Sequence, residues 1–147
     1  MKSVSFRLGD QLFGFDIMKV KEIVKEFSLK SVPGVNPIIT GFMNLRGEII
    51  TVLDLRKRLS MDALEEGSSQ DVIIVLWREE KYGLVIDEVL EVVELSEDEI
   101  NRENKNIFRI EEDFVYGLGK VNDKPIMILS LEKVLEFYEQ ILSGPAE

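Results

Sequence analysis

The chain of 147 residues contains no cysteine and no histidine. Without cysteine it can form no disulfide, no thiolate nucleophile and no cysteine-ligated metal site. Without histidine it lacks the side chain on which much acid–base catalysis, histidine-based triads and many metal sites depend. The sequence therefore excludes several large classes of enzyme, and we predict no catalytic residue, no cofactor and no bound metal.

Long apolar runs are also missing. The longest have about five residues, whereas a membrane-spanning helix needs about 18 or more. The N-terminal segment, Met1–Phe6 (MKSVSF), lacks the apolar region of a signal peptide. These absences predict a cytoplasmic protein with no direct membrane insertion.

Positive charge is scarce as well, because 18 Lys and Arg residues stand against 28 Asp and Glu residues and the net charge is −10. Binding to nucleic acids or to anionic membranes depends on clustered Lys and Arg side chains. This acidity argues against both kinds of partner. The one basic cluster, Arg56-Lys57-Arg58, is expected to be the solvated face of a short helix.

The sequence does contain an internal repeat. Residues 13–24 (FGFDIMKVKEIV) match residues 82–93 (YGLVIDEVLEVV) at five of twelve positions. Residues 41–59 (GFMNLRGEIITVLDLRKRL) match residues 117–135 (GLGKVNDKPIMILSLEKVL) at six of nineteen. Both copies therefore have the same order of hairpin, long connector, glycine, second hairpin and helix, and Asp54 and Ser130 are the predicted N-terminal capping residues of the two helices.

Each copy of the repeat holds about five short strands, a number that suits a small barrel. A half of about 70 residues buries little surface alone, so the two copies should pack together. We predict a mostly β fold in one domain over 1–147. It consists of two five-stranded β-barrel subdomains, formed by repeat halves at about 4–59 and 72–135, with a groove between them and a C-terminal helix.

The tight turn in the second hairpin differs completely between the two copies. Asn44–Gly47 (NLRG) in the first copy corresponds to Lys120–Asp123 (KVND) in the second. Gly47 can take a positive φ without strain, as a tight hairpin turn requires. The following segment, Ile49–Leu53, is rich in β-branched residues and is predicted to be a buried strand. An arginine at a turn tip is most often solvated, but the occurrence of Arg46 in only one copy makes it a candidate for recognition.

These segments resemble the CheW family, the coupling proteins of bacterial chemotaxis. Residues 41–59 are similar to the family signature, residues 13–23 and 82–92 to its two hairpins, and residues 117–135 to its C-terminal motif. The resemblance implies two SH3-like barrels and a non-enzymatic scaffold or adaptor. The related domains of the CheA kinase and of CheV are fused to further domains. Because this chain ends 12 residues after Leu135, we expect the stand-alone adaptor.

The resemblance also implies two partners and a place in the cell. One partner is the cytoplasmic tip of a chemoreceptor, a methyl-accepting chemotaxis protein, and the other is the regulatory domain of the histidine kinase CheA. Such an adaptor works in receptor arrays on the inner face of the membrane. The kinase contact is expected at a barrel end and its exposed strand edge, by packing against a homologous barrel.

The receptor-binding residues that the resemblance implies are Val20, Glu22, Gly41, Asn44 and Arg46. An ion pair between Arg46 and Glu22 is expected across the groove.

Apolar side chains would supply affinity for a helical tip laid in the groove. Val20, Ile39, Phe42 and Leu45 are candidates for this lining, and burial in the core is an equally good explanation of each.

Three alternatives stay open at this point. The same kind of adaptor could serve a signalling system other than motility. A small-ligand-binding or enzymatic β-barrel would require a buried pocket with convergent polar groups. Nucleic-acid binding by SH3-like barrels is disfavoured by the net charge of −10.

Overall fold

Short strands are the main secondary structure of the described residues, as the alternating apolar and polar residues of the sequence predict. The computed structural model describes residues 1–31, 36–62, 68–103 and 109–143, with the backbone alone for 140–143. Ten strands lie within these ranges: β1 (Lys2–Leu8), β2 (Gln11–Asp16), β3 (Val20–Val24), β4 (Ile39–Leu45), β5 (Glu48–Asp54), β6 (Asp71–Trp77), β7 (Glu80–Ile86), β8 (Glu88–Glu94), β9 (Val115–Val121) and β10 (Lys124–Leu129). Helix α1 (Leu55–Arg58) follows β5, and helix α2 (Leu131–Ser143) follows β10.

The strands form two five-stranded sheets. The first has the order β8-β1-β2-β10-β9 and contains both ends of the β region, and we call it the terminal sheet. The second has the order β3-β6-β7-β5-β4 and is built from one continuous stretch of the chain, and we call it the middle sheet. The prediction of a mostly β fold with two five-stranded units and a C-terminal helix is confirmed.

The two halves of the repeat exchange their first hairpins. Strands β1 and β2 of the first half lie in the terminal sheet with β8, β9 and β10 of the second half. Strands β6 and β7 of the second half lie in the middle sheet with β3, β4 and β5 of the first. The sheet boundaries therefore do not coincide with the halves expected at about 4–59 and 72–135.

The register of the strands follows the repeat. In the parallel pair β2–β10 Gly14 lies opposite Ile128, and in the parallel pair β7–β5 Gly83 lies opposite Val52. Each glycine is the repeat counterpart of the other, and so are their two partners. A Cβ atom at Gly83 would lie 2.9 Å from Cγ1 of Val72 and 3.1 Å from Cγ2 of Val52. Both halves thus place a glycine where the exchanged hairpin meets the other half.

Three apolar clusters hold the sheets. The largest lies between them and includes the stacked rings of Phe6, Phe13 and Phe15, all fully buried. Each sheet also curves around a smaller cluster of its own, centred on Val52 and Ile74 in the middle sheet and on Ile126 and Ile128 in the terminal sheet. Inner strands are therefore apolar on both faces, which explains continuous apolar runs such as VIIV in β6.

Both helices begin at the predicted capping residues. The side chain of Asp54 accepts a hydrogen bond from the backbone N–H of Lys57 at 3.2 Å, and Ser130 Oγ accepts one from that of Lys133 at 3.3 Å. These contacts satisfy backbone donors that the first turn leaves unpaired.

The basic cluster on α1 is not the solvated face that the sequence predicted. Arg56 is only 9% exposed, and its guanidinium donates to both carboxylate oxygens of Asp87, at 2.8 and 2.5 Å. Arg58 lies against the rings of Phe114 and Phe137 and donates to the carbonyl oxygen of Val134 at 2.7 Å. The prediction was wrong because α1 is a single turn packed against neighbouring elements on several sides, so that arginine side chains from it reach buried partners.

Asp87 lies between β7 and β8, where the chain crosses from the middle sheet to the terminal sheet. Besides Arg56, it accepts a hydrogen bond at 2.6 Å from the backbone N–H of Gly9, in the β1–β2 turn. Burial by itself raises the pKa of Asp87, but the hydrogen bonds from Arg56 and Gly9 outweigh burial and leave the pKa below its usual value. This charged group therefore joins elements of both sheets.

Substituting Gly83 by Ala tests the close approach of the exchanged hairpin. We expect a loss of about 1–3 kcal/mol in the free energy of unfolding, because the neighbouring valine methyl groups belong to stiff side chains. Gly14→Ala is the matched control and should cost less, since two of its near neighbours are the Cδ1 ends of Ile128 and Ile126. Urea denaturation measures both values, and an equal or larger loss in Gly14→Ala would contradict the packing described.

Arg56→Met tests the buried ion pair. Removing the cation leaves the buried Asp87 carboxylate with the Gly9 N–H and with Arg7, whose Nη1 atom lies 3.6 Å away, so the free energy of unfolding should fall by about 3 kcal/mol, the lower end of the range for a broken buried pair. The double variant Arg56→Met/Asp87→Leu should recover most of this loss, and Lys57→Met on the exposed side of α1 should stay within about 0.5 kcal/mol of the parent. Because the pKa of Asp87 is lowered in the folded state, its stabilisation is present above about pH 4 and is lost as the pH falls further. If the loss in the double variant equalled the sum of the losses in Arg56→Met and Asp87→Leu, the two side chains would not be coupled, and the prediction would be refuted.

Candidate functional site

The β4–β5 turn places Arg46 in an unusual backbone conformation. Arg46 has φ 51° and Gly47 has φ 88°, and Asn44 Oδ1 accepts a hydrogen bond from the N–H of Gly47 at 2.8 Å. Two consecutive residues with positive φ form a tight hairpin turn that favours Asn or Gly, and the corresponding turn of the second half has Asn122 with φ 50°. The backbone therefore does not require an arginine at position 46, which points to a role for the side chain.

Arg46 forms the expected ion pair with Glu22, but the pair lies within the middle sheet and not across a groove between the two sheets. The Nη2 atom of Arg46 donates to Oε1 of Glu22, which lies on β3. Strands β3 and β4 are the two edges of the middle sheet. The ion pair therefore reaches across the gap that the curved sheet leaves between its edges.

The pair is exposed and stays charged near neutral pH. The Arg46 side chain is 68% exposed and that of Glu22 is 32% exposed. The hydrogen bond from Arg46 lowers the pKa of Glu22, and the same bond raises the pKa of Arg46. An ion pair in this position adds little to stability, so its effect is to hold the guanidinium in one direction.

Gly41 and Asn44 shape the backbone around the pair. Gly41 is buried, and a Cβ atom there would lie 2.6 Å from the carbonyl oxygen of Lys30, whose backbone pairs with that of Phe42 at 2.8 and 2.9 Å. Asn44 is exposed and closes the turn through its bond to Gly47. Of the five residues singled out from the sequence, Glu22 and Arg46 thus present charged groups, whereas Gly41 and Asn44 hold the strand and turn that carry Arg46.

The apolar candidates divide between two clusters and one surface. Val20 and Ile39 are half-buried against the largest apolar cluster, which lies between the sheets. Leu45 is half-buried against the smaller cluster of the middle sheet. Phe42 lines a shallow groove together with Leu29 and Ile49, on the sheet face that Phe42 of β4 shares with Ile49 of β5.

Ile49 is 67% exposed, although the sequence predicted a buried strand at this position. Its neighbour on the same face, Thr51, contacts the Tyr138 hydroxyl of α2 at 3.3 Å, and Ile49 lies beyond that contact, next to the turn. The β-branched character of the strand gives no signal of where helix coverage stops, so sequence reasoning missed this exposed residue.

In the described part of the chain, no group of three or more Asp and Glu side chains is placed to hold a metal ion. None of the helices in the described ranges combines the length and the apolar character that a membrane crossing requires.

Two curved sheets with an ion-paired turn held at the edge of one of them define a β-rich recognition domain. The sequence profile described as the CheW-like domain matches residues 2–139. The chain therefore belongs to the CheW-like family, and this membership confirms the expectation of a non-enzymatic chemotaxis scaffold.

Relatives and solved structures agree with this assignment. The chemotaxis protein CheW of Treponema pallidum is 30% identical over 140 residues, which cover 92% of this chain and 82% of that protein. The chemotaxis protein CheW of Bacillus subtilis is 29% identical over 135 residues, covering 92% and 86%. The crystal structure of the scaffolding protein TtCheW from Thermoanaerobacter tengcongensis matches with a TM-score of 0.83 and 37% identity, over 92% of each chain.

A comparison of Gly41→Ala with Arg46→Ala separates backbone from side-chain roles. Gly41→Ala should lower the melting temperature clearly, because the new methyl group must displace the backbone of Lys30. Arg46→Ala should change it by less than about 2 °C, since an exposed pair contributes little. Thermal denaturation followed by circular dichroism measures both, and a large drop in Arg46→Ala would show that the pair is mainly structural.

Proposed function

We propose that this protein is a cytoplasmic adaptor that couples chemoreceptor tips to the histidine kinase CheA in arrays at the inner face of the membrane. The observation that carries the proposal is the exposed Arg46–Glu22 pair in a chain of the CheW-like family. The turn keeps an arginine in a conformation that Asn would adopt at lower cost, which supports recognition through the guanidinium.

The receptor contact is proposed at the β3 edge and the β4–β5 turn. Arg46 and Glu22 face the helical tip directly, with Glu22 fixing the direction of the guanidinium. Val20, half-exposed on the same strand as Glu22, supplies apolar contact. Gly41 and Asn44 act indirectly, by holding β4 and its turn in place. A guanidinium fixed in this way can bind carboxylate or carbonyl oxygens of the receptor without first losing side-chain freedom.

The kinase contact is proposed on the sheet face that Phe42 of β4 and Ile49 of β5 share. Ile49 is 67% exposed there, and the half-buried Phe42 lines the same groove. Exposed apolar side chains on a sheet face suit packing against a homologous SH3-like barrel. In this proposal the receptor meets Arg46 and β3, and the kinase meets the groove at Phe42 and Ile49.

Binding assays with two purified fragments test this division. Arg46→Ala and Glu22→Gln should each weaken binding of a chemoreceptor signalling fragment by about tenfold, because each removes part of a directed charge-assisted contact. Both variants should bind the CheA regulatory domain as the parent does. Ile49→Glu should show the reverse pattern, with loss of kinase binding and normal receptor binding.

Isothermal titration or pull-down with each fragment gives the readout, and Lys57→Ala serves as a distant surface control. Unaltered receptor binding in both Arg46→Ala and Glu22→Gln would reject the receptor site. Unaltered kinase binding in Ile49→Glu would reject the proposed kinase surface while leaving the receptor site standing.

A further inference from the structure

The repeat places Glu91 of β8 where Glu22 of β3 lies in the other sheet. Ile23 and Val24 of β3 lie opposite Ile73 and Val72, and their counterparts Val92 and Val93 lie opposite Val4 and Ser3. Next to these pairs the two strands differ, because Glu22 lies opposite Ile74, whereas the register of the β1–β8 pair shifts between Val92 and Val89, the stretch that contains Glu91. Glu22 and Glu91 are therefore equivalent by sequence and by their place on an edge strand beside the repeated pairs.

The residue equivalent to Arg46 in the terminal sheet is Asn122. The β9–β10 turn repeats the β4–β5 turn, with φ 50° at Asn122 and φ 65° at Asp123, and Val121 lies opposite Lys124 as Leu45 lies opposite Glu48. An asparagine side chain is too short to span the distance that Arg46 spans. Among the described residues, no Lys or Arg forms an ion pair with Glu91.

A cleft is present in the terminal sheet at the position that the Arg46–Glu22 pair bridges in the middle sheet. It lies between β8 and the β9–β10 turn, and its lining residues include the acidic Glu91, the amide residue Asn122 and the apolar residues Leu12, Leu90 and Val121. Leu90 is 37% exposed, and Val92, two residues along β8, is 52% exposed. An anionic group is thus set among accessible apolar side chains.

We propose that this cleft binds an arginine side chain of a protein partner, whose guanidinium takes the place that Arg46 occupies in the other sheet. The guanidinium would donate to Glu91 and to the amide oxygen of Asn122, and its alkyl stem would pack on Leu90 and Leu12. A planar guanidinium suits this arrangement better than an ammonium group, because it can donate to two oxygens at once while its stem stays on apolar surface. Apolar residues beside that arginine would contact Val92.

Lys124 lies on the rim of the same cleft and carries the sign of the incoming ligand. Its ammonium group repels a bound cation and weakens its binding. Removing this positive charge is therefore a second way to test the proposal. This inference goes beyond the proposed adaptor function and does not depend on it, because Arg46 and the receptor surface lie in the other sheet.

Nuclear magnetic resonance titration of the full chain with the peptide acetyl-Leu-Arg-Leu-amide tests the cleft. Addition at millimolar concentration should shift the backbone amide signals of Leu90, Glu91 and Asn122. Acetyl-Leu-Gln-Leu-amide should shift them far less, because it keeps the apolar side chains and lacks the charge. Shifts of equal size with the two peptides, or none up to 20-fold molar excess, would overturn the proposal.

Three variants sharpen this test. Glu91→Gln should weaken binding of the arginine peptide about fivefold, and Lys124→Gln should strengthen it by about two- to threefold. Asn122→Arg should abolish binding, since the new side chain can pair with Glu91 internally, as Arg46 pairs with Glu22 in the same backbone conformation. Arg46→Ala should leave peptide binding unchanged. Full binding in Asn122→Arg, or loss of binding in Arg46→Ala, would show that the peptide binds elsewhere.

Discussion

The exchange of the two N-terminal hairpins is the constraint on which the rest of the molecule depends. In each sheet the hairpin of one half lies between strands of the other half, with an antiparallel pairing on one side (β1–β8 or β6–β3) and a parallel pairing on the other, at Gly14 opposite Ile128 and at Gly83 opposite Val52. Neither half therefore contains a complete sheet. The shared cluster between the sheets and the smaller cluster inside each sheet form together, so that folding of one half is coupled to folding of the other.

The two crossings between the sheets are held by different chemistry. At the crossing from β7 to β8, the buried carboxylate of Asp87 binds Arg56 and the β1–β2 turn. Its counterpart at the crossing from β2 to β3 is Met18, which is 81% exposed. The counterpart of Arg56 is Glu132, which accepts hydrogen bonds from Trp77 Nε1 at 2.5 Å and from the Arg78 guanidinium at 2.7 Å. Met18 and Glu132 therefore form no buried ion pair with each other, and strand β3, which carries Glu22, begins at this second crossing.

The two halves differ at turn positions where the backbone does not need a particular residue. Both tight turns accept residues in the left-handed conformation, and one has Arg46 where the other has Asn122. Arg46 closes the gap between the edges of the middle sheet through its ion pair with Glu22. Within the described ranges Asn122 forms no such bridge, and an open cleft lies beside Glu91. The same backbone turn therefore carries different side chains in the two halves, and the surface beside it differs accordingly.

The amino-acid sequence by itself determined the strands, the capping residues Asp54 and Ser130, and the repeat, because all of these depend on local spacing of residue types. The resemblance to the CheW family supplied the Arg46–Glu22 pair. Only the tertiary structure decided which hairpin joins which sheet, that Arg56 is buried and that Ile49 is exposed. These outcomes depend on contacts between segments far apart in the chain, such as Arg56 with Asp87 and Gly9 with Asp87. A local pattern of apolar and polar residues specifies which face of a strand is buried, but not which distant strand or helix covers it.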